Sequence, residues 1–171
     1  DQTHVAFTPR HIKSNSNAYL IDLQDDRLVK SMINHIREDF PNIRFNRARK
    51  VILKKIIQLL FDAQQQKPFL HIEESELPLC WNNPSDWNKN YIKYEWGHLP
   101  SQNQRPDQSS SIENIGLYSA RCNRHIQSSL NVQELMVYGG VLSQRISIVL
   151  RNRKILFSSE KWKKLILELR K

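Results

Sequence analysis

Glu95-Trp96-Gly97-His98-Leu99 and, one polar loop later, Ile112-Glu113-Asn114-Ile115-Gly116-Leu117-Tyr118-Ser119-Ala120-Arg121-Cys122-Asn123-Arg124-His125 are the two stretches that decide how this chain is read. Tyr91, Ile92, Tyr94 and Trp96 are residue types that favour a strand. That strand ends in a histidine, and the loop over residues 100–111 follows. Then come an asparagine beside an apolar residue, a short apolar strand, a Cys-Asn pair and the start of a helix. Beyond residue 131 the helical period returns with Val132, Leu135 and Met136, and Gly139 and Gly140 break it. Residues 141–150 are apolar on one side and read equally as helix or strand. Ser159 is placed to cap a last amphipathic helix, with Trp162, Leu165, Ile166 and Leu169 on one face. Such a stripe is core or a dimer contact and is too short for a membrane anchor.

Upstream, residues 1–24 are polar and mixed apart from Tyr19, Leu20 and Ile21. Leu28, Met32, Ile36 and Phe40 recur every four residues and predict a helix that Asp25 and Asp26 start and Pro41 ends. A second helix is expected over residues 45–65, with Val51, Ile52, Ile56, Leu59 and Leu60 as its apolar stripe. Arg44, Arg47, Arg49, Lys50, Lys54 and Lys55 crowd its first half. Those six cations are either a solvated face or a phosphate-contacting one. Like charges four apart oppose the helix slightly, and an anionic partner would relieve them. Residues 67–90 read as a long loop with a short strand near residues 69–72. They carry the acidic run Glu73, Glu74 and Glu76, read as an intramolecular partner for the basic helix, and Trp81 and Trp87, read as packing residues.

The chain has 171 residues, the size of one domain or of one core with a subdomain. Twenty-six Lys and Arg against 17 Asp and Glu give 26 − 17 = +9, and a surplus of this sign points to an anionic partner. No run approaches the length of a membrane span, and residues 1–10 contain no apolar stretch of the signal-peptide kind. Two cysteines, Cys80 and Cys122, are too few for a disulfide scaffold or a four-thiolate zinc site, and they are read as reduced thiols of a cytoplasmic protein. Four glycines leave no room for a Gly-rich phosphate loop.

The order His98, Asn114-Ile115, Cys122-Asn123 resembles the His-Asn-His (HNH) nuclease family, whose core is the ββα-metal fold. The first motif has Trp, Glu, Gly and His, and the second has Ile-Glu-Asn followed by Cys-Asn. Residues 131–136, Asn-Val-Gln-Glu-Leu-Met, are similar to the tail that follows the motif in some members. The likeness spans residues 91–136, about a quarter of the chain. It implies an α+β fold with a ββα-metal core and additional N-terminal and C-terminal helices. It implies His98 as general base, Asn114 as the residue bracing the loop that holds it, and Asn123 as a metal ligand. Asn123 also has the simpler reading of a helix cap. One departure stands out. Where many members have an acidic residue just before the first histidine, this chain has Gly97. Strand alternation puts Glu95 and Gly97 on one face and His98 on the other, unless the backbone turns at Gly97. Glu95 or His125 is then the candidate to complete the metal site.

The expected organisation is a helical DNA-binding or dimerisation region over residues 1–75, a nuclease core over 76–140 and an extension over 141–171. The expected activity is metal-dependent hydrolysis of DNA, in a restriction-type enzyme that acts as a homodimer on double-stranded DNA with Mg²⁺ or Mn²⁺ and without a membrane. Arg121, Arg124, Arg47, Lys50 and Lys54 are the candidate DNA contacts. The rivals are an inactive HNH-like nucleic-acid-binding protein, which Gly97 favours, a homing or nicking nuclease, and an RNA-directed nuclease.

Overall fold

The computed structural model describes residues 25–71, 94–99, 112–119, 132–137 and 139–171. The elements are α1 (Asp26–His35), α2 (Arg47–Ala63), β1 (Tyr94–His98), a 3-10 turn (Ile112–Asn114), β2 (Ile115–Ser119), α3 (Val132–Val137), α4 (Gly140–Ser158) and α5 (Glu160–Arg170). Among the described residues the fold is mixed and mostly helical, with one two-stranded antiparallel sheet, which agrees with the α+β expectation in its coarse form. Among the described residues, no helix is long and apolar enough to cross a membrane.

Helix α1 begins where its carboxylates predict. The Asp25 side chain accepts the Arg27 N–H at 2.9 Å, and Asp26 sits in the positive first turn. It ends at His35 rather than at Pro41. Residues beyond it turn tightly, with the N–H groups of Asp39 and Phe40 both donating to the Ile36 carbonyl. Phe40 is still buried, so the four-residue apolar period is met by a turn instead of a continued helix. Helix α2 starts behind Asn46, whose side chain accepts the Arg49 N–H. Its apolar face is rotated from the one expected. Leu53, Ile56, Ile57, Leu60 and Phe61 are buried, whereas Val51 is 49% exposed. The reason is that α2 is central and packs on α1, α4 and α5 together, so no single stripe describes it.

After α2 the chain reverses. Gln65 and Gln66 both stand at φ 58, a left-handed conformation uncommon outside glycine. Residues 69–70, expected as part of a short strand, lie in a turn instead, where Phe69 donates its N–H to the Leu117 carbonyl at 2.8 Å. The stretch 141–150, open between helix and strand, is helical as part of α4. Helix α5 matches its reading. Ser159 caps it by accepting the Trp162 N–H, and Trp162, Leu165 and Leu169 enter the core.

The sheet pairs in unbroken register: Glu95 with Tyr118, Trp96 with Leu117, Gly97 with Gly116 and His98 with Ile115. Its two faces serve two apolar clusters. Trp96, Ile115 and Leu117 join α1, α2 and α5 in the larger one, around Leu28, Met32, Leu53, Ile56 and Trp162. Tyr118 joins Phe69, Leu99, Val132, Ile146 and Val149 in the smaller. Trp96 also donates its indole N–H to the Leu28 carbonyl at 3.1 Å, which ties β1 to α1.

The outer edge of β2 is closed by side chains. The Gln64 carboxamide accepts the Leu117 N–H at 3.0 Å and donates to the Leu117 carbonyl at 2.9 Å, imitating a neighbouring strand. Arg145 holds the turn that delivers Gln64, donating to the carbonyls of Gln64, Pro68 and Phe69 and to the Gln65 side chain. Gly116 lies close beneath this turn. A Cβ there would sit 2.7 Å from Phe69 Cδ2.

Gly116→Ala is therefore expected to lower stability by about 1–3 kcal/mol, the usual cost of overpacking, read as a reduced urea midpoint. Burial, with Lys67 and Arg145 adding their charge, pushes the His71 imidazole from 6.5 to about 4. Between those values the unfolded chain binds a proton that the folded chain refuses. Stability contributed by neutral His71 is then complete above 6.5 and is lost as pH falls toward about 4. Urea midpoints across that window should fall less steeply in His71→Gln than in wild type.

Candidate active site

His98 closes β1, half-buried, and the next residue anchors the strand end on both sides. Leu99 donates its N–H to the Asn114 carbonyl at 2.7 Å and accepts the Val132 N–H at 3.2 Å. Asn114 is the last residue of the 3-10 turn that leads into β2. Two of the residues read as a functional pair, sixteen positions apart in sequence, are thus linked through Leu99 at the connected end of the hairpin.

A second imidazole lies against the first. The rings of His35 and His98 have centroids 5.2 Å apart and are tilted by 40°. His35 Nδ1 is 2.9 Å from the Ser31 carbonyl, which can only accept, so the proton on that ring belongs on Nδ1. The sequence motif takes in His98 and does not include His35. The signal that marks it is its seven-residue spacing from Leu28, which puts both on the α1 face that Trp96 and His98 meet.

The Asn114 turn is held from behind by α4. Arg153, 2% exposed, donates through Nη2 to the Glu113 carbonyl at 2.9 Å and to the Ile115 carbonyl at 2.8 Å. Its guanidinium also lies over the rings of Phe157 and Phe69, at 5.1 and 5.7 Å. Burial lowers its pKa to about 10, so it remains a cation at neutral pH. This residue was missed because an arginine in a helical pattern reads as a surface position.

The remaining candidates divide. Glu95 is buried on the face opposite His98, level with Tyr118 in the register, and the strand runs straight through Gly97. The alternation is not broken, so Glu95 is not brought to the imidazole. Asn123, His125, Arg121 and Arg124 lie outside the described residues, as do both cysteines, Trp81, Trp87 and the acidic run at 73–76. Among the described residues, no group of three or more His, Cys, Asp or Glu converges as a metal site. His98 and Asn114 alone fall short of a ligand set.

The basic helix also divides. Lys54 and Lys50 approach Asp26 at 3.0 and 3.6 Å, and the hydrogen bond from Lys54 leads in holding that carboxyl below its usual range. Arg49 donates to the Glu168 carbonyl and joins α2 to α5. Arg44, Arg47 and Lys55 are exposed. Among the described residues the intramolecular partner of the cations is Asp26 of α1, and the expected pairing with the acidic run at 73–76 lies outside them.

If this face meets a polyanion, Arg47→Ala should shift elution from a heparin column to lower salt by more than Lys54→Ala does, because Lys54 already has a carboxylate partner. Comparison with protein-family models, with curated proteins and with solved structures finds no match to this chain.

Proposed function

We propose that the protein is a DNA endonuclease of the HNH type, with His98 as general base and Asn114 as the residue that braces it. The observation that carries this reading is the junction at Leu99, whose N–H bonds the Asn114 carbonyl at 2.7 Å at the end of the hairpin. It supports the order of residues read from the sequence: a histidine ending one strand and an asparagine opening the next. The reading takes β1 and β2 as the first half of a ββα-metal core, with Asn123 at the final motif position.

The chemistry follows from the residues. Imidazole titrates near neutral pH, so its unprotonated form accepts the proton of the water that attacks phosphorus. The P–O3′ bond breaks as the new P–O bond forms. Asn114 keeps the histidine-bearing strand end in place through its own backbone. Mg²⁺ or Mn²⁺ supplies charge neutralisation at the scissile phosphate when bound. The net charge of +9 suits a duplex DNA substrate, and cutting both strands of a palindromic site suits a homodimer of restriction type.

A second reading has an observation of its own. Glu95 faces away from His98 and Gly97 brings no carboxylate, which favours a protein that binds nucleic acid without cutting it. Supercoiled plasmid incubated with Mg²⁺ or Mn²⁺, and with EDTA as control, separates the two. The nuclease reading expects metal-dependent nicking that His98→Ala lowers by roughly 10²–10⁴-fold while duplex binding persists. Equal nicking by His98→Ala rejects the assignment. Binding without nicking under either metal supports the second reading, and preferential cutting of single-stranded RNA redirects the substrate.

A further inference from the structure

We propose that Arg153 is a positioning residue of this site: one guanidinium nitrogen holds the peptide carbonyls on both sides of Asn114 and so fixes Asn114 against the His98 strand end. The inference deepens the nuclease reading and rests on it for its catalytic meaning.

The geometry is specific. Nη2 bonds Glu113 O at 2.9 Å and Ile115 O at 2.8 Å, and the carbonyl between them, that of Asn114, is bonded by Leu99 at 2.7 Å. Three successive carbonyls are therefore held, two from α4 and one from the residue after His98. A rotation of the Asn114 peptide would break the Leu99 bond, and the two bonds from Arg153 hold the peptides on either side against it. The arginine that makes these bonds is itself costly to bury. The Arg153 side chain sits among Phe69 and Phe157, and its Nη1 is buried with no hydrogen-bond partner among the described residues. An apolar side chain of similar length would escape that desolvation cost but would leave the Glu113 and Ile115 carbonyls without this donor, at about 1–3 kcal/mol for a buried group left unpaired. What an apolar residue lacks is a grip on the two carbonyls.

Arg153→Met and Arg153→Lys separate the roles. Methionine fills the aromatic cage and holds nothing, whereas lysine keeps a cation with N–H donors on a shorter stem. The Leu99 amide reports directly on the clamp through hydrogen exchange, independently of any activity. The expectation for Arg153→Met is exchange at Leu99 faster by about tenfold or more, with α2 and α5 amides unchanged. The kcat for nicking should fall about 10- to 100-fold at unchanged KM. Arg153→Lys should recover part of both. Activity and Leu99 protection then rank in the order Arg, Lys, Met, with the α2 and α5 amides unchanged throughout.

Leu99 exchange equal to wild type in Arg153→Met, or a uniform rise across α2, α5 and the hairpin, overturns the inference. If Arg153→Met does not fold, the same comparison of Leu99 with α5 is made in Arg153→Lys. A wild-type protein that binds DNA without nicking it removes the nuclease reading, and the exchange pattern still decides whether Arg153 holds the turn.

Discussion

A strand of five residues with a neighbour on one side only must find partners for the backbone groups on its other side, and the fold turns on how β2 meets that demand. In an antiparallel pair alternate residues direct their N–H and C=O groups outward. On β2 the carbonyls of Ile115 and Leu117 bond groups outside the hairpin, and side chains reach both. Arg153 takes the first, while Gln64 and the Phe69 N–H take the second. A buried backbone group left without a partner costs about 1–3 kcal/mol, and a two-stranded hairpin is marginal by itself. The helices therefore contribute more than apolar cover. They supply the polar groups that stand in for a third strand.

The same arrangement defines what surrounds His98. Alternation along β1 sends Trp96 and His98 to α1, where they meet Leu28 and His35, and sends Glu95 the other way. The hairpin is thus a partition. One face carries the imidazole pair and the larger apolar cluster, and the other carries Tyr118 and the smaller cluster. A carboxylate on β1 can reach the His98 face only from a position of matching parity, which Glu95 and Gly97 do not have.

Much of this was legible from residue order. The caps Asp25 and Ser159, the apolar faces of α1 and α5, the strand ending at His98 and the strand after Asn114 all follow from local rules that the folded chain obeys. What escaped has a common cause. Arg145, Arg153 and Gln64 are buried polar residues whose partners are backbone carbonyls and amides, and backbone groups carry no mark in a sequence. Nothing local marks them, so residues 141–150 read equally as helix or strand, Gln64 falls inside the expected second helix, and residues 67–71 read as loop and short strand. The rotated face of α2 was hidden for a related reason: a helix enclosed by three others has no single apolar stripe. His35 was overlooked because its companion, His98, is 63 positions away, on a different element.

The side-chain edging of β2 also bears on the order of events as the chain is made. Synthesis runs from the N-terminus, and loop closure over long separations comes late in folding. When both strands have left the ribosome, Gln64 is free to fold with them, but Arg145 and Arg153 have not yet emerged. Until α4 arrives, the turn that aims Gln64 lacks its fastening and the Ile115 carbonyl lacks its donor. The His98–Asn114 junction is therefore assembled only once α4 has been made, and a nascent polypeptide that stops short of α4 carries the motif without the machinery that shapes it.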